Sequence, residues 1–288
     1  MIRVYVEGVG LAGPGLAGWH HSRSVLAGLE PYAPAPTVIA APRGLPAAEG
    51  RRTGRSVRLA LAVAHEAFEH AARDAAATAT VFTSSGGDGD NVHEILQILA
   101  TPNREVSPTR FHNSVHNAAA GYWSIAARSH APSTSLCAHD ASFAAGLIDA
   151  ATQIAIDSVP VSLIVYDHPY PEPLHAKRPF AESFAAALVL APERGEHAFA
   201  SLDIEITRGS PAPLNALADP MAGPDAPPLG DRAFRAIRAA GDRAPPGRCT
   251  LQLGALTPRG FDRLKRFARP NRDGWAPEPN RPFVLLAD

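Results

Sequence analysis

The sequence predicts an α/β protein in which helices cover a layered sheet. Three observations carry this. Residues 1–207 alternate strand and helix signals. The strand signals are short apolar runs bounded by Gly, Pro or Ser clusters. Between two of them lies a long amphipathic stretch, residues 55–74, with Val57, Leu61, Ala64 and Phe68 at i, i+4, i+7 and i+11 on one helical face. Strands separated by helices favour a layered α/β sheet.

The elements follow in order. Residues 2–9 alternate as a strand and run into the turn Gly13-Pro14-Gly15. Residues 31–50 are rich in Pro and Ala and read as a loop. The helix over 55–74 comes next, then a short strand, Thr80-Val81-Phe82-Thr83. It enters Ser84-Ser85-Gly86-Gly87-Asp88-Gly89-Asp90-Asn91 and a helix over 91–100. Residues 114–128 are helical and small, 133–138 a buried strand, and 140–156 an Ala-rich helix. Three strands close this part: Val159 to Tyr166, Phe184 to Leu190 and Ala198 to Thr207.

After Gly209 the texture changes. Residues 210–230 hold Pro211, Pro213, Pro220, Pro224, Pro227 and Pro228, the composition of a linker. Residues 231–272 carry eleven Arg/Lys against three Asp, a local +8 in a chain whose total is −1. A helix signal covers 231–241 and a strand signal 249–254. Residues 270–282 are again Pro-rich, and Phe283-Val284-Leu285-Leu286 returns as a terminal strand. The organisation expected is a domain over 1–209, a Pro-rich linker over 210–230 and a short basic segment over 231–288.

Composition excludes several function classes. With 45% hydrophobic and 19% charged residues the chain is ordinarily globular. A net charge of −1 gives no global pull towards nucleic acid, and the basic segment has few aromatics and no nucleic-acid-binding motif. No apolar run approaches the ~18 residues of a membrane span. The start, Met1 to Glu7, lacks the apolar stretch of a signal peptide. Two cysteines, Cys137 and Cys249, make neither a disulfide framework nor a cysteine-rich zinc site, so a reduced, cytoplasmic protein is expected. Lysine occurs only at 177 and 265.

Three constellations invite chemistry. The loop at 84–91 resembles a phosphate cradle, but it lacks the Gly-Lys-Ser/Thr ending of a P-loop and the G-x-G-x-x-G spacing, and a tight strand-to-helix turn explains it. His112, His116 and His139 suggest a metal. His112 and His116 are i, i+4, yet no Glu stands beside His112 and no carboxylate pair follows at ligand spacing, so no metal is expected. Cys137 could act with a histidine as a nucleophile. It follows Thr134-Ser135-Leu136 in an apolar strand, where a thiol is usually an inert small hydrophobe. No cofactor is expected.

The most informative block runs from Ser107-Pro108-Thr109-Arg110-Phe111-His112-Asn113-Ser114-Val115-His116-Asn117 through Ala118-Ala119-Ala120-Gly121-Tyr122-Trp123. It continues past Pro132 into Ser133-Thr134-Ser135-Leu136-Cys137-Ala138-His139-Asp140-Ala141. This resembles the N-terminal half of the β-ketoacyl synthases, and within them the chain-length-factor-like members of polyene and aryl polyene biosynthesis. Supporting similarities are the opening Val4 to Gly13, Arg51 to Ala64, the turn at 84–89, and Pro160 to Pro173 with Tyr166-Asp167. The resemblance covers residues 1–207. It implies a thiolase-like fold, layered α-β-α with a mixed sheet, its N-terminal half complete and its C-terminal half truncated.

The family's catalytic residues do not carry over. Active synthases place a cysteine at a strand-to-helix elbow, where the helix N-terminus favours the thiolate. Counted without gaps from Ser107-Pro108, that position falls on Asp140, with Cys137, Ala138 and His139 as neighbours; a two-residue gap gives Ala138. A carboxylate is a poor acyl acceptor, and Asp140 reads equally as a helix N-cap. Active synthases also use two histidines from the second half of the fold. Here no histidine follows His197, so the final 91 residues supply neither.

The resemblance therefore implies a subunit without independent activity: a chain length factor that forms a heterodimer with an active ketosynthase subunit and serves an acyl carrier protein. The strand residues Ser133, Thr134, Ser135, Leu136 and Cys137 would meet the partner. Phe111, His112, His116, Tyr122 and Trp123 would border the acyl tunnel and set its depth, with plain core packing as the alternative for each aromatic. Basic residues Arg235, Arg238, Arg263, Lys265 and Arg266 would steer an acidic carrier protein, with a solvated arginine-rich face as the alternative. Two other readings stay open. One is an acyltransferase or decarboxylase using Cys137 or Asp140 with His112 or His139. The other is a homodimeric acyl-binding scaffold.

Overall fold

β1, Ile2–Gly13, is a twelve-residue strand, longer than its alternating opening predicts because the apolar run continues through Val9 and Leu11. A computed structural model describes residues 1–27, 29–179 and 182–206, with the backbone of two later strands at 249–253 and 283–287. After the turn at 14–15 come β2 (Leu16–Ala17), α1 (Trp19–Leu26), α2 (Ala47–Arg52), α3 (Arg55–Ala71), β3 (Ala79–Thr83), α4 (Gly89–Leu99), α5 (Pro108–Asn113) and α6 (Ala118–Ala127). Then follow β4 (Ser133–Leu136), α7 (Ser142–Asp157), β5 (Val161–Asp167), β6 (Phe184–Ala191), β7 (Ala200–Ile206), β8 (Cys249–Leu253) and β9 (Phe283–Ala287).

These strands form one mixed sheet in the order β4-β3-β5-β6-β1-β7-β9-β8, with β2 paired to β1. β3 runs parallel to β4 and β5, so Val81 faces Thr134 on one side and Leu163 on the other. The remaining neighbours are antiparallel, and β1 pairs with β6 across an irregularity between Val6 and Gly8. Helices cover both faces. α7 packs one face with Phe143, Leu147 and Ile154 against Val81, Leu163 and Val165. α3 and α6 pack the other with Leu61, Ala64, Phe68 and Trp123 against Phe82, Ile164 and Val189. The result is the three-layer α-β-α arrangement of a thiolase-like fold.

α3 lies unusually close to β1, and two glycines make this possible. A Cβ on Gly8 would stand 2.1 Å from the Ala67 carbonyl oxygen, and one on Gly10 would stand 1.9 Å from that of Val63. Side chains of α3 also serve the irregular strand: Glu66 accepts from the Leu11 and Trp19 N–H groups, and His70 Nδ1 from that of Val9. Buried donors without a ladder partner are thereby satisfied.

The structure corrects several expectations. Residues 47–50 are the start of α2, not loop. The stretch 114–128 is helical only from Ala118, because a turn at 114–117 separates α5 from α6. The strand expected as buried is β4, an edge strand whose residues are exposed or half-exposed. The linker 210–230, the helix signal at 231–241 and the basic residues Arg235, Arg238, Arg263, Lys265 and Arg266 lie outside the described residues.

Candidate functional site

The parallel pairing of β3, β4 and β5 brings their carboxyl ends together, the side on which α/β sheets carry their sites. Ser84 and Ser85 leave β3 there, Cys137 to Ser142 leave β4, and Asp167 ends β5. The segment after β5 adds Tyr170 and Arg178.

The passage from β4 to α7 is an elbow. Its residue His139 has φ 52°, in the left-handed region that residues other than glycine seldom adopt. A single 3₁₀ turn, His139–Ala141, with Asp140 at its centre, leads into α7. Ser142, fully buried, holds the turn. Its hydroxyl accepts the Ala138 N–H at 3.0 Å and lies 2.6 Å from the His139 carbonyl and 3.2 Å from that of Ser84. The Thr83 hydroxyl donates to the Ser142 carbonyl. A Cβ on Gly146 would stand 2.7 Å from Thr83 Cγ2, so a glycine there lets α7 seat against β3.

Asp167 supports the facing loop. It is 2% exposed, and its Oδ1 accepts from the Ser84 hydroxyl at 2.8 Å and the Ser85 N–H at 2.9 Å. Oδ2 is buried without a hydrogen-bond partner. Burial pushes the carboxyl up to about 6, against the lowering effect of the Ser85 and Ser84 hydrogen bonds and of Arg178. Ser84 Oγ in turn accepts from the Gly86 and Gly87 N–H groups, and Asp88 caps α4 through the Asn91 N–H. The loop at 84–91 is therefore a self-satisfied turn, as expected, and these N–H groups are not turned outward as a phosphate cradle. Tyr170 covers it, its hydroxyl 3.3 Å from Ser85 Oγ and from Arg178 Nη1.

Cys137 departs from its expected place inside an apolar strand. It lies just past β4, is exposed, and donates its S–H to the Ser85 carbonyl at 3.2 Å. Ser133 to Leu136 form the edge of the sheet, with no further strand beside β4 among the described residues. Phe111 is 71% exposed on α5, and His112 and His116 are exposed beside it, His116 Nδ1 standing 3.5 Å from where a Cβ on Gly87 would be. Tyr122 and Trp123 are core residues: Tyr122 donates to Asn113 Oδ1, and Trp123 stacks on Phe68. Among the described residues, no cluster of three or more His, Cys, Asp or Glu forms a metal set, and no helix is long and apolar enough to cross a membrane.

α4 exposes Val92, Leu96 and Leu99, and Phe111 and Val115 are exposed on and just after α5. Sequence reasoning missed this apolar face and the roles of Ser142, Tyr170 and Arg178. An i, i+4, i+7 apolar pattern on 92–99 was the available signal for the first. Little local marks the others: Ser142 also reaches Ser84, 58 residues away, and Tyr170 meets Ser85, 85 residues away.

Residues 19–219 match the profile of the β-ketoacyl synthase N-terminal domain. No curated protein sequence matches. A solved complex of the ketosynthase ApeO with its chain length factor ApeC from Xenorhabdus doucetiae aligns over 100% of this chain and 100% of the matched chain, with 19% identity and a TM-score of 0.66. A β-ketoacyl synthase from Burkholderia phymatum aligns over 72% of this chain and 65% of its own, with 17% identity and a TM-score of 0.56. The ishigamide ketosynthase/chain length factor aligns over 83% of this chain and 74% of its own, with 18% identity and a TM-score of 0.54.

Proposed function

The chain belongs to the β-ketoacyl synthase N-terminal domain family, and from that premise we propose that it is a non-catalytic, chain-length-factor-like subunit that pairs with an active β-ketoacyl synthase in acyl chain elongation. The observation that carries this is the elbow after β4. Where active members of the family present a cysteine at a helix N-terminus, this chain presents His139-Asp140 in a 3₁₀ turn, and its cysteine lies back at the strand end.

The pairing surface is β4 with the exposed apolar residues of α4 and α5. An open edge strand offers backbone hydrogen bonds to a second sheet, and exposed apolar side chains on a helix suit an interaction face. In the pair, Phe111 is the side chain free to project into a tunnel shared with the partner. Tyr122 and Trp123 act behind it by fixing α6. Each methylene that no longer fits costs of order 1 kcal/mol. Phe111→Ala is therefore expected to lengthen the products of the reconstituted pair, and unchanged product lengths remove the gating role. Co-expression with a cognate synthase tests the pairing: a 1:1 complex on size exclusion supports it, and persistent separation of the two chains contradicts it.

One observation favours a second reading. Cys137 is exposed beside the family's nucleophile elbow, which suits an acyl-processing enzyme using that thiol. The S–H donation to Ser85 does not activate it, because a carbonyl acceptor holds the thiol proton without removing it.

A further inference from the structure

The connection from β5 to β6 is tied at its base. Just past β5, His168 reaches Ser183 at the entry of β6, its Nδ1 2.6 Å from the Ser183 hydroxyl. Asp167 and Phe184 are the last paired residues of the two strands, so this bond lies one step beyond the ladder. On the other side His168 Nε2 stands 3.3 Å from Asp90, in the first turn of α4. The His168 side chain is 12% exposed, and Ser183 is buried. Two residues on, Tyr170 lies over the 84–91 loop. A side chain on Gly86 would collide with its hydroxyl, and one on Gly89 with its ring, so these glycines seat the tyrosine.

The partners of His168 dictate where its hydrogen sits. A carboxylate only accepts, so Nε2 carries the hydrogen and donates to Asp90. Nδ1 is then bare and accepts the Ser183 hydroxyl. The neutral ring therefore satisfies both neighbours. A second proton, on Nδ1, reverses the Ser183 bond and turns the hydroxyl hydrogen into a buried site, where an unmet donor is costly. The charged groups facing the ring are Asp90 and Asp88 at the start of α4 and Arg55 at the start of α3. Glu182, beside Ser183, is turned to the Thr37 N–H, and Asp167 to Ser84 and Ser85. Burial holds the imidazole below its ordinary range; Asp90 and Asp88 oppose this and Arg55 adds to it. The folded chain thus resists the proton, and it loses stability as pH falls below the ordinary value of about 6.5.

We propose that His168 is a pH-sensitive latch on the segment that covers the 84–91 loop. Neutral, it ties the ends of β5 and β6 to α4 and seats Tyr170. Protonated, it releases Ser183, and Tyr170 leaves the loop. Ser85 is then uncovered, and its carbonyl is the group that holds the Cys137 S–H. Acid opens the approach to the elbow from the β5 side.

The test combines two measurements on the full chain. An imidazole NMR titration, assigned with His168→Asn, gives the pH at which His168 gains its proton. Hydroxyl-radical footprinting one pH unit to either side then reads Tyr170, which is 7% exposed while latched. Labelling of Tyr170 is expected to rise at least threefold on the acid side, normalised to the exposed Phe111, with the core residue Tyr122 unchanged. His168→Asn keeps an acceptor for Ser183 that takes no proton, so its Tyr170 labelling is expected to stay level across the same range. Ser183→Ala removes the bond at every pH, and its Tyr170 is expected to label fast on both sides. Asp167→Asn is expected to behave as the parent does. A His168 that stays neutral until the chain unfolds overturns the proposal. So does parent labelling that is equal on both sides, or a rise that persists in His168→Asn and disappears in Asp167→Asn. Because the chain is measured alone, the result is separate from whether it pairs with a synthase.

Discussion

Two helices of this protein have similar amphipathic sequences and opposite fates. α3 carries Val57, Leu61, Ala64 and Phe68 on one face and buries ten of its seventeen residues between the sheet and α6. α4 carries Val92, Ile95, Leu96, Ile98 and Leu99 and buries only Asn91 of its eleven. The first pattern is consumed by the chain's own core. The second is left facing outward. Amphipathicity therefore announces that a face needs cover, and the fold decides whether the cover comes from within. This chain leaves one helix face and one edge strand uncovered, and both read as parts of an interface.

The comparison is broken most severely at the α3 side. Gly10→Ala forces a methyl group into the Val63 carbonyl, and overpacking of backbone against backbone is expected to cost roughly 3 kcal/mol. Chemical denaturation reads this as a lowered midpoint, and an unchanged midpoint refutes the close approach of β1 and α3.

A pH experiment gives a comparable or slightly smaller effect at the elbow. Asp167 titrates at about 6 in the folded chain, raised from 3.8 by burial. The native state thus binds a proton that the unfolded state has lost between those values. Stability from this group is full at low pH, falls as pH rises from about 4 to 6, and is level above. Two units correspond to roughly 3 kcal/mol. Asp167→Asn keeps an acceptor for Ser84 and Ser85, and its stability relative to the parent is expected to improve by roughly 2–3 kcal/mol between pH 4 and 7. A difference independent of pH contradicts the buried carboxyl.

Smaller effects belong to the open flank. Leu96→Asp is expected to weaken association with a synthase at least tenfold, read by a binding titration of the two chains. Smallest of all, Leu96→Ser should leave the stability of the isolated chain within about 0.5 kcal/mol, as at exposed positions generally. A large loss there means that α4 is internally packed, and the contrast with α3 fails.

Much of this was legible in the sequence. The strands and the long helices through residue 206 follow from apolar runs and periodicity, the short helices Trp19–Leu26, Ala47–Arg52 and Pro108–Asn113 do not, and the strands at 249–253 and 283–287 are signalled by short apolar stretches inside a Pro-rich, basic region. Resemblance to a known family gave the layered fold. What was not legible depends on neighbours distant in sequence. Ser133 to Leu136 look like a buried strand because Leu136 and Cys137 are apolar, but only the strand order places them at an edge. Tyr122 and Trp123 look available for a tunnel because they are large, yet α3 claims them for the core. Asp167 is an ordinary strand-end acid until Ser84 and Ser85 close on it from 83 and 82 residues away.

The central claim, a synthase-like subunit without acyl chemistry of its own, is tested most directly by intact-protein mass spectrometry. The chain and a cognate synthase are incubated together with an acyl-carrier-protein thioester. The account predicts an added acyl mass on the synthase alone, with this chain unmodified in a 1:1 complex. An acyl mass on this chain, mapped to Cys137, contradicts it.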